Sequence, residues 1–195
     1  MDTTLLLQHI ARHIDLTTEE QRHFTSLLHE KKIRKKQFLN QEGDISKGAV
    51  FVTKGILRMY SLGKHGLEHV IQFAPPGWWI GDMNSFIRQQ PGIMFIDALE
   101  DSEILWLSKQ DLDLIYTRIP KFERFFRILG ENAIAAYQNR LVSILSLPAI
   151  DRYSSFCQQY PSLINTLPQK QVASYIGVTP EFLSKMLNSP MPPHH

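Results

Sequence analysis

A run near the C-terminus, Gln169-Lys170-Gln171-Val172-Ala173-Ser174-Tyr175-Ile176-Gly177-Val178-Thr179-Pro180-Glu181-Phe182-Leu183-Ser184-Lys185-Met186, joins polar side chains to the spacing of helix, tight turn, helix. Val172, Ala173 and Ile176 fall on one helical face, and Ala173 is small enough for a second helix to cross closely. Gly177 supplies the positive φ of a sharp helix end. Thr179 is a good N-cap and Pro180 suits the first helical position, where no backbone N–H is needed. Phe182, Leu183 and Met186 give the second helix its apolar side, predicted to face the protein. A helix pair of this kind can set its second helix in the major groove of DNA, where side chains meet base edges. The competing reading is a helical hairpin that closes a small core.

Other residues of chemical interest are fewer. His65, Glu68 and His69 offer nitrogen and carboxylate ligands for iron, manganese or zinc, as in a cupin-like metal enzyme, but His65 falls in a predicted turn and no second histidine cluster completes a set. Lys31-Lys32-Ile33-Arg34-Lys35-Lys36 is the densest basic run, read as a solvated strand face rather than a polyanion contact. Cys157 is the single cysteine, which rules out an intrachain disulfide and a cluster held by several cysteines of one chain. No nucleophile–base constellation and no glycine-rich phosphate loop is present, so an enzyme is not expected, nor any metal or cofactor.

These residues need elements to position them. Hydrophobic content of 43% and charged content of 21% suit a globular chain of one or two domains. No apolar run approaches the roughly 20 residues that span a bilayer. Met1-Asp2-Thr3-Thr4-Leu5 lacks the basic region of a signal peptide, so a cytoplasmic protein without membrane contact is expected. Residues 5–30 read as helical, with Thr17 and Glu20 at capping-box spacing. From there to about residue 107, short strands at 33–39, 49–53, 55–61, 69–73, 79–80, 94–99 and 103–107 alternate with glycine turns, the pattern of a jelly-roll barrel. Ser108 caps another helix. A long helix then covers about 121–147, with Phe122, Phe125, Phe126 and Leu129 in one stripe that Ile134, Tyr137, Leu141, Ile144 and Leu145 are expected to continue. A barrel of this size cannot cover its length of about 40 Å, so a partner helix is implied, most simply from a second copy. Pro148 marks the boundary between an effector and dimerisation domain (1–147) and a helix-turn-helix domain (148–195), whose support helix covers 149–159.

This order of elements resembles the family of the cyclic-AMP receptor protein and the fumarate-nitrate regulator (Crp/Fnr). Phe51-Val52-Thr53-Lys54-Gly55-Ile56-Leu57-Arg58-Met59-Tyr60 is similar to the family's barrel signature, and Gly77-Trp78-Trp79-Ile80-Gly81-Asp82-Met83 to the branch common in Bacteroidota-type bacteria. The resemblance implies an α+β chain: an N-terminal cyclic-nucleotide-binding-like jelly roll with flanking helices, a long dimer helix and a C-terminal helix-turn-helix. It implies a homodimeric transcription regulator that binds double-stranded DNA at a near-palindromic operator, with RNA polymerase and a small-molecule effector as further partners. Carried onto matching positions, Thr179, Pro180, Glu181, Ser184 and Lys185 face the groove, and Gln169 and Lys170 contact phosphates. The effector pocket falls on Gly81, Asp82, Met83, Asn84 and Arg88. There the chain departs from cyclic-nucleotide binders: Asp82 stands at the ribose-binding glutamate, no Arg-Ser pair precedes Ala98, and Arg88 is several residues early. A buried phosphodiester without a bidentate arginine loses its main charge-assisted bonds, so cyclic AMP is not the expected effector. The C-terminal segment is barely basic, which leaves open an interaction protein with decayed DNA binding.

Overall fold

The computed structural model describes residues 1–189. The tail Pro190-Met191-Pro192-Pro193-His194-His195, read from its composition as unstructured, lies outside the described residues. Two helices open the chain, α1 (Thr4–Ala11) and α2 (Thr18–Ser26). The capping box forms as its spacing predicts: the Thr17 hydroxyl accepts from Glu20 N–H, and the Glu20 carboxylate accepts from Thr17 N–H at 2.8 Å.

Eight strands follow: β1 (His29–Ile33), β2 (Phe38–Asn40), β3 (Gly48–Lys54), β4 (Leu57–Leu62), β5 (Glu68–Ala74), β6 (Trp79–Ile80), β7 (Phe95–Ala98) and β8 (Ser102–Ser108). They build two four-stranded sheets, in the orders β1-β8-β3-β6 and β2-β7-β4-β5. The predicted strand over 33–39 is two strands. Lys36 takes a left-handed turn (φ 68) and gives its N–H to Ala98, so β1 stays in the first sheet and β2 enters the second. Lys31 and Lys32 are exposed on β1, as a solvated strand face requires.

Between the sheets lie Ile33, Val50, Val52, Leu57, Met59, Ile80, Ile96, Ala98 and Ile104, a continuous aliphatic core. The outer face of the first sheet presents Phe51, Leu105 and Leu107 to a second core with Leu6, Ile10, Phe24, Leu112, Ile115, Phe122 and Phe125. Those residues come from α1, α2, α4 (Lys109–Arg118) and the start of α5 (Lys121–Ser146). The Ser108 hydroxyl caps α4 at Asp111 N–H. One helix, α3 (Met83–Arg88), is not predicted from the sequence.

The long helix corrects the continuous stripe. Phe122 and Phe125 are fully buried, whereas Leu141 is 58% and Leu145 75% exposed. At 3.6 residues per turn the mean direction of Ile134, Tyr137, Leu141 and Leu145 lies about a third of a turn from that of Phe122, Phe125, Phe126 and Leu129. One half of α5 serves the barrel's core and the other turns its apolar side away.

After Pro148 come α6 (Ala149–Gln159), α7 (Gln169–Ile176) and α8 (Pro180–Asn188). Packing groups 1–62 with 71–132 as one compact unit. The second unit joins the hairpin segment Gly63–Val70 to the chain from Ala133 onward, so the change of packing falls inside α5 rather than at Pro148.

Candidate nucleic-acid interface

The core of the second unit is aromatic. Phe156, Tyr160 and Tyr175 contact one another with ring centroids 5.5 Å apart in each pair. Burial pushes the Tyr175 phenol above its ordinary pKa, against the opposing pull of the Arg140 guanidinium. Cys157 is half-buried on α6.

The turn between α7 and α8 has the geometry its residues dictate. Gly177 ends α7 at φ 73 and ψ 42, and Val178 N–H reaches back to Ala173 C=O at 3.0 Å. The Thr179 hydroxyl accepts from Phe182 N–H at 3.1 Å, with Pro180 in the first turn of α8. Val172, Ala173, Ile176 and Leu183 are buried, so the two helices cross on small and aliphatic contacts.

Glu181, Phe182 and Lys185 lie exposed on the outer side of α8. By helical spacing Glu181 and Lys185 point away from Leu183, as does Asn188, which the sequence reading passed over although it lies three residues after Lys185. Ser184 and Pro180 are half-buried, and Thr179 is exposed with its hydroxyl engaged as the cap. Gln169 and Lys170 are exposed in the first turn of α7. Phe182 departs from expectation: it is 52% exposed. Leu183 is the fully buried residue of α8 and Met186 is half-buried, whereas Phe182 is carried about 100° around the helix from Leu183.

Two residues with no signal in the sequence hold α7 in place. Ser174 donates to Glu68 C=O at 2.6 Å and accepts from Val70 N–H at 3.0 Å, pinning the helix to the start of β5. Arg140 on α5 donates to Val70 C=O and Tyr175 C=O at 2.7 and 2.8 Å and stacks 4.0 Å over the Tyr175 ring. His65 sits at φ 66 in the hairpin turn, and among the described residues no group of three or more His, Cys, Asp or Glu could hold a metal ion.

In the barrel unit the effector residues do not share one surface. Asp82 is buried, and its carboxylate caps α3 by accepting from Ser85 N–H at 3.0 Å. Its other oxygen, Oδ2, has no hydrogen-bond partner among the described residues. Gly81 is half-buried, whereas Met83, Asn84 and Arg88 are exposed on α3. The barrel's buried cation is elsewhere. Arg58 on β4 makes a bidentate pair with Asp97 on β7, Nε to Oδ1 at 2.7 Å and a terminal nitrogen to Oδ2 at 3.0 Å. Nothing in the sequence marked these two residues as partners, because their pairing depends on the register of β4 with β7.

Residues 30–118 match the cyclic nucleotide-binding domain family. The regulatory protein HlyX of Actinobacillus pleuropneumoniae is 24% identical over 168 residues, which cover 80% of this chain and 69% of the relative. The chain spans about two thirds of the length of the curated relatives it matches. Among solved structures, FixK2 of Bradyrhizobium japonicum superposes with a TM-score of 0.71 at 16% identity, over 82% of each chain. The Thermus thermophilus catabolite activator protein does so at 0.56 and 20% identity, over 88% of this chain and 82% of that one.

Proposed function

We propose that this chain is a member of the Crp/Fnr family, whose regulators bind DNA and act as dimers, and that it is a homodimeric, sequence-specific transcription regulator. The observation that carries the reading is the α7–Gly177–α8 pair, with a buried Leu183 behind and an open face of Glu181, Phe182, Lys185 and Asn188 in front. In a major groove Glu181 accepts from a cytosine amine, Lys185 donates to guanine, Asn188 pairs with adenine, and Phe182 packs against a thymine methyl. Gln169 and Lys170 contact the backbone. Pro180 offers no donor, so one guanine contact available to an arginine there is absent.

A second copy supplies the phosphate contacts that one weakly basic segment lacks, and it covers Ile134, Tyr137, Leu141 and Leu145 along α5. The operator is then a near-palindrome with half-sites about one helical turn apart, or a multiple of it. The effector differs from cyclic AMP. No Arg-Ser pair stands before Ala98 to hold its phosphate, Asp82 at the ribose-binding position is buried as the cap of α3, and the buried Arg58 is already paired with Asp97. RNA polymerase is the natural downstream partner.

The test is selection of genomic fragments by the purified protein at low and moderate salt, followed by binding of the enriched duplex. A palindromic motif is expected, and Lys185→Ala weakens it by about tenfold while relaxing one base position per half-site. Retention of fragments without any shared motif would refute sequence-specific reading.

A further inference from the structure

A cavity of about 260 Å3 lies between α5, α6 and α7, and its lining is electropositive. Arg140 enters it from α5 and Arg152 from α6, together with Asn139, Ser143, Ser155 and Gln159, and none of its lining residues is a carboxylate. Arg140 is held in place by its bonds to the backbone of Val70 and Tyr175. Arg152 is less committed. One terminal nitrogen makes a long contact of 3.4 Å to Ile144 C=O, and its Nε, shielded from solvent, donates to none of the described residues. A sheltered N–H on a cation without an acceptor is costly, and it calls for an oxygen ligand.

We propose that this cavity binds a small anion bearing phosphate or carboxylate groups. Arg152 Nε and its terminal nitrogens meet the anion's oxygens, Arg140 supplies the second positive charge, and the neutral amides and hydroxyls complete the shell. The volume admits roughly nine water-sized groups, enough for a phosphate monoester or a small polycarboxylate. The site faces away from Ile134, Leu141 and Leu145 on α5, whereas Ile144, expected in the same stripe, turns into it. The site also spans Pro148, so the anion ties α5 to α6 across the break between them. The site does not depend on the DNA-reading assignment.

Calorimetric titration of the full chain with inorganic phosphate, and separately with citrate, each against chloride at matched ionic strength, tests this. Saturable binding of one or both is expected, and which one binds tells a phosphoryl from a polycarboxylate ligand. Arg152→Gln should weaken it by roughly tenfold or more. Asn139→Asp, which sets a carboxylate in the cavity with little change of shape, should do the same, while Arg124→Gln, at an exposed site on the first half of α5, should bind as the unmodified chain does. Absence of saturable binding by both probes overturns the proposal, as does undiminished binding by Arg152→Gln and Asn139→Asp. Displacement of phosphate by duplex DNA overturns it too, because the guanidiniums would then belong to the DNA backbone.

Discussion

Replacing Gly177 with alanine isolates the backbone geometry of the turn that sets α8 against α7. Gly177 sits at φ 73 and ψ 42, in the left-handed region. A Cβ built there meets nothing nearer than the Arg152 guanidinium at 3.9 Å, an ordinary contact. The cost is therefore conformational: about 1–2 kcal/mol for an L-residue in this region. About 0.4–1 kcal/mol is recovered because alanine restricts the unfolded chain. The net loss is about 1 kcal/mol, roughly a fivefold change in the folding equilibrium. For a chain of this size it corresponds to a fall in Tm of about 2–4 °C. Asparagine, which tolerates the left-handed region, should lose less than alanine, and β-branched valine more. The assay is urea and thermal unfolding followed by far-UV circular dichroism. Trp78, Trp79 and Trp106 all lie in the barrel unit, so tryptophan emission reports that unit and serves as an internal reference. An alanine variant as stable as the unmodified chain, or an asparagine variant less stable than alanine, would refute the account of this turn.

Leu141→Glu with Leu145→Glu should convert a dimer to a monomer in sedimentation velocity and weaken operator binding by roughly a hundredfold, since two linked half-sites become one; an unchanged sedimentation coefficient would remove α5 from the interface. Asp97→Ala leaves the buried Arg58 charge without its bidentate partner and should cost about 3–5 kcal/mol in urea unfolding. Arg58→Met combined with Asp97→Leu should cost less than the two single losses summed. His9 has its pKa lowered below 6.5, chiefly by burial and then by His13 and Arg12, where it packs 5.7 Å from Phe51. The unfolded chain then binds the proton more readily than the folded one. His9 thus contributes its full stability above pH 6.5, and that contribution is lost as the pH falls from there towards the lowered value. His9→Gln should flatten this dependence, and an unaltered slope in pH-dependent unfolding would assign it to other groups.

Most elements were legible in the chain because their causes are local. Thr17 with Glu20, Ser108, and Gly177 with Thr179 and Pro180 each mark a helix boundary through bonds that span only a few residues. Alternation and glycine turns likewise located six of the strands within a residue or two, and the order of elements was enough to suggest a family resemblance. The strand over 33–39 was misread because its break at Lys36 depends on a bond to Ala98, across the barrel. The helix over Met83–Arg88 was missed because its cap, Asp82, had been assigned to a ligand.

The amino-acid sequence by itself determined the barrel, the long helix and the helix pair with its turn, since propensity, capping and periodicity act over a few residues. Tertiary structure alone decided which side of each element meets which partner. It turned Phe182 outward, because Leu183 is the side chain of α8 that is fully buried. It split the apolar residues of α5 between two faces, because only the first half packs on the barrel core. It joined Ser174 to Glu68 and Val70, and Arg58 to Asp97, residues far apart along the chain. It also brought Arg140 and Arg152 to the lining of one cavity. Pairings of this kind depend on register and packing between distant segments, which no local pattern of residue types encodes.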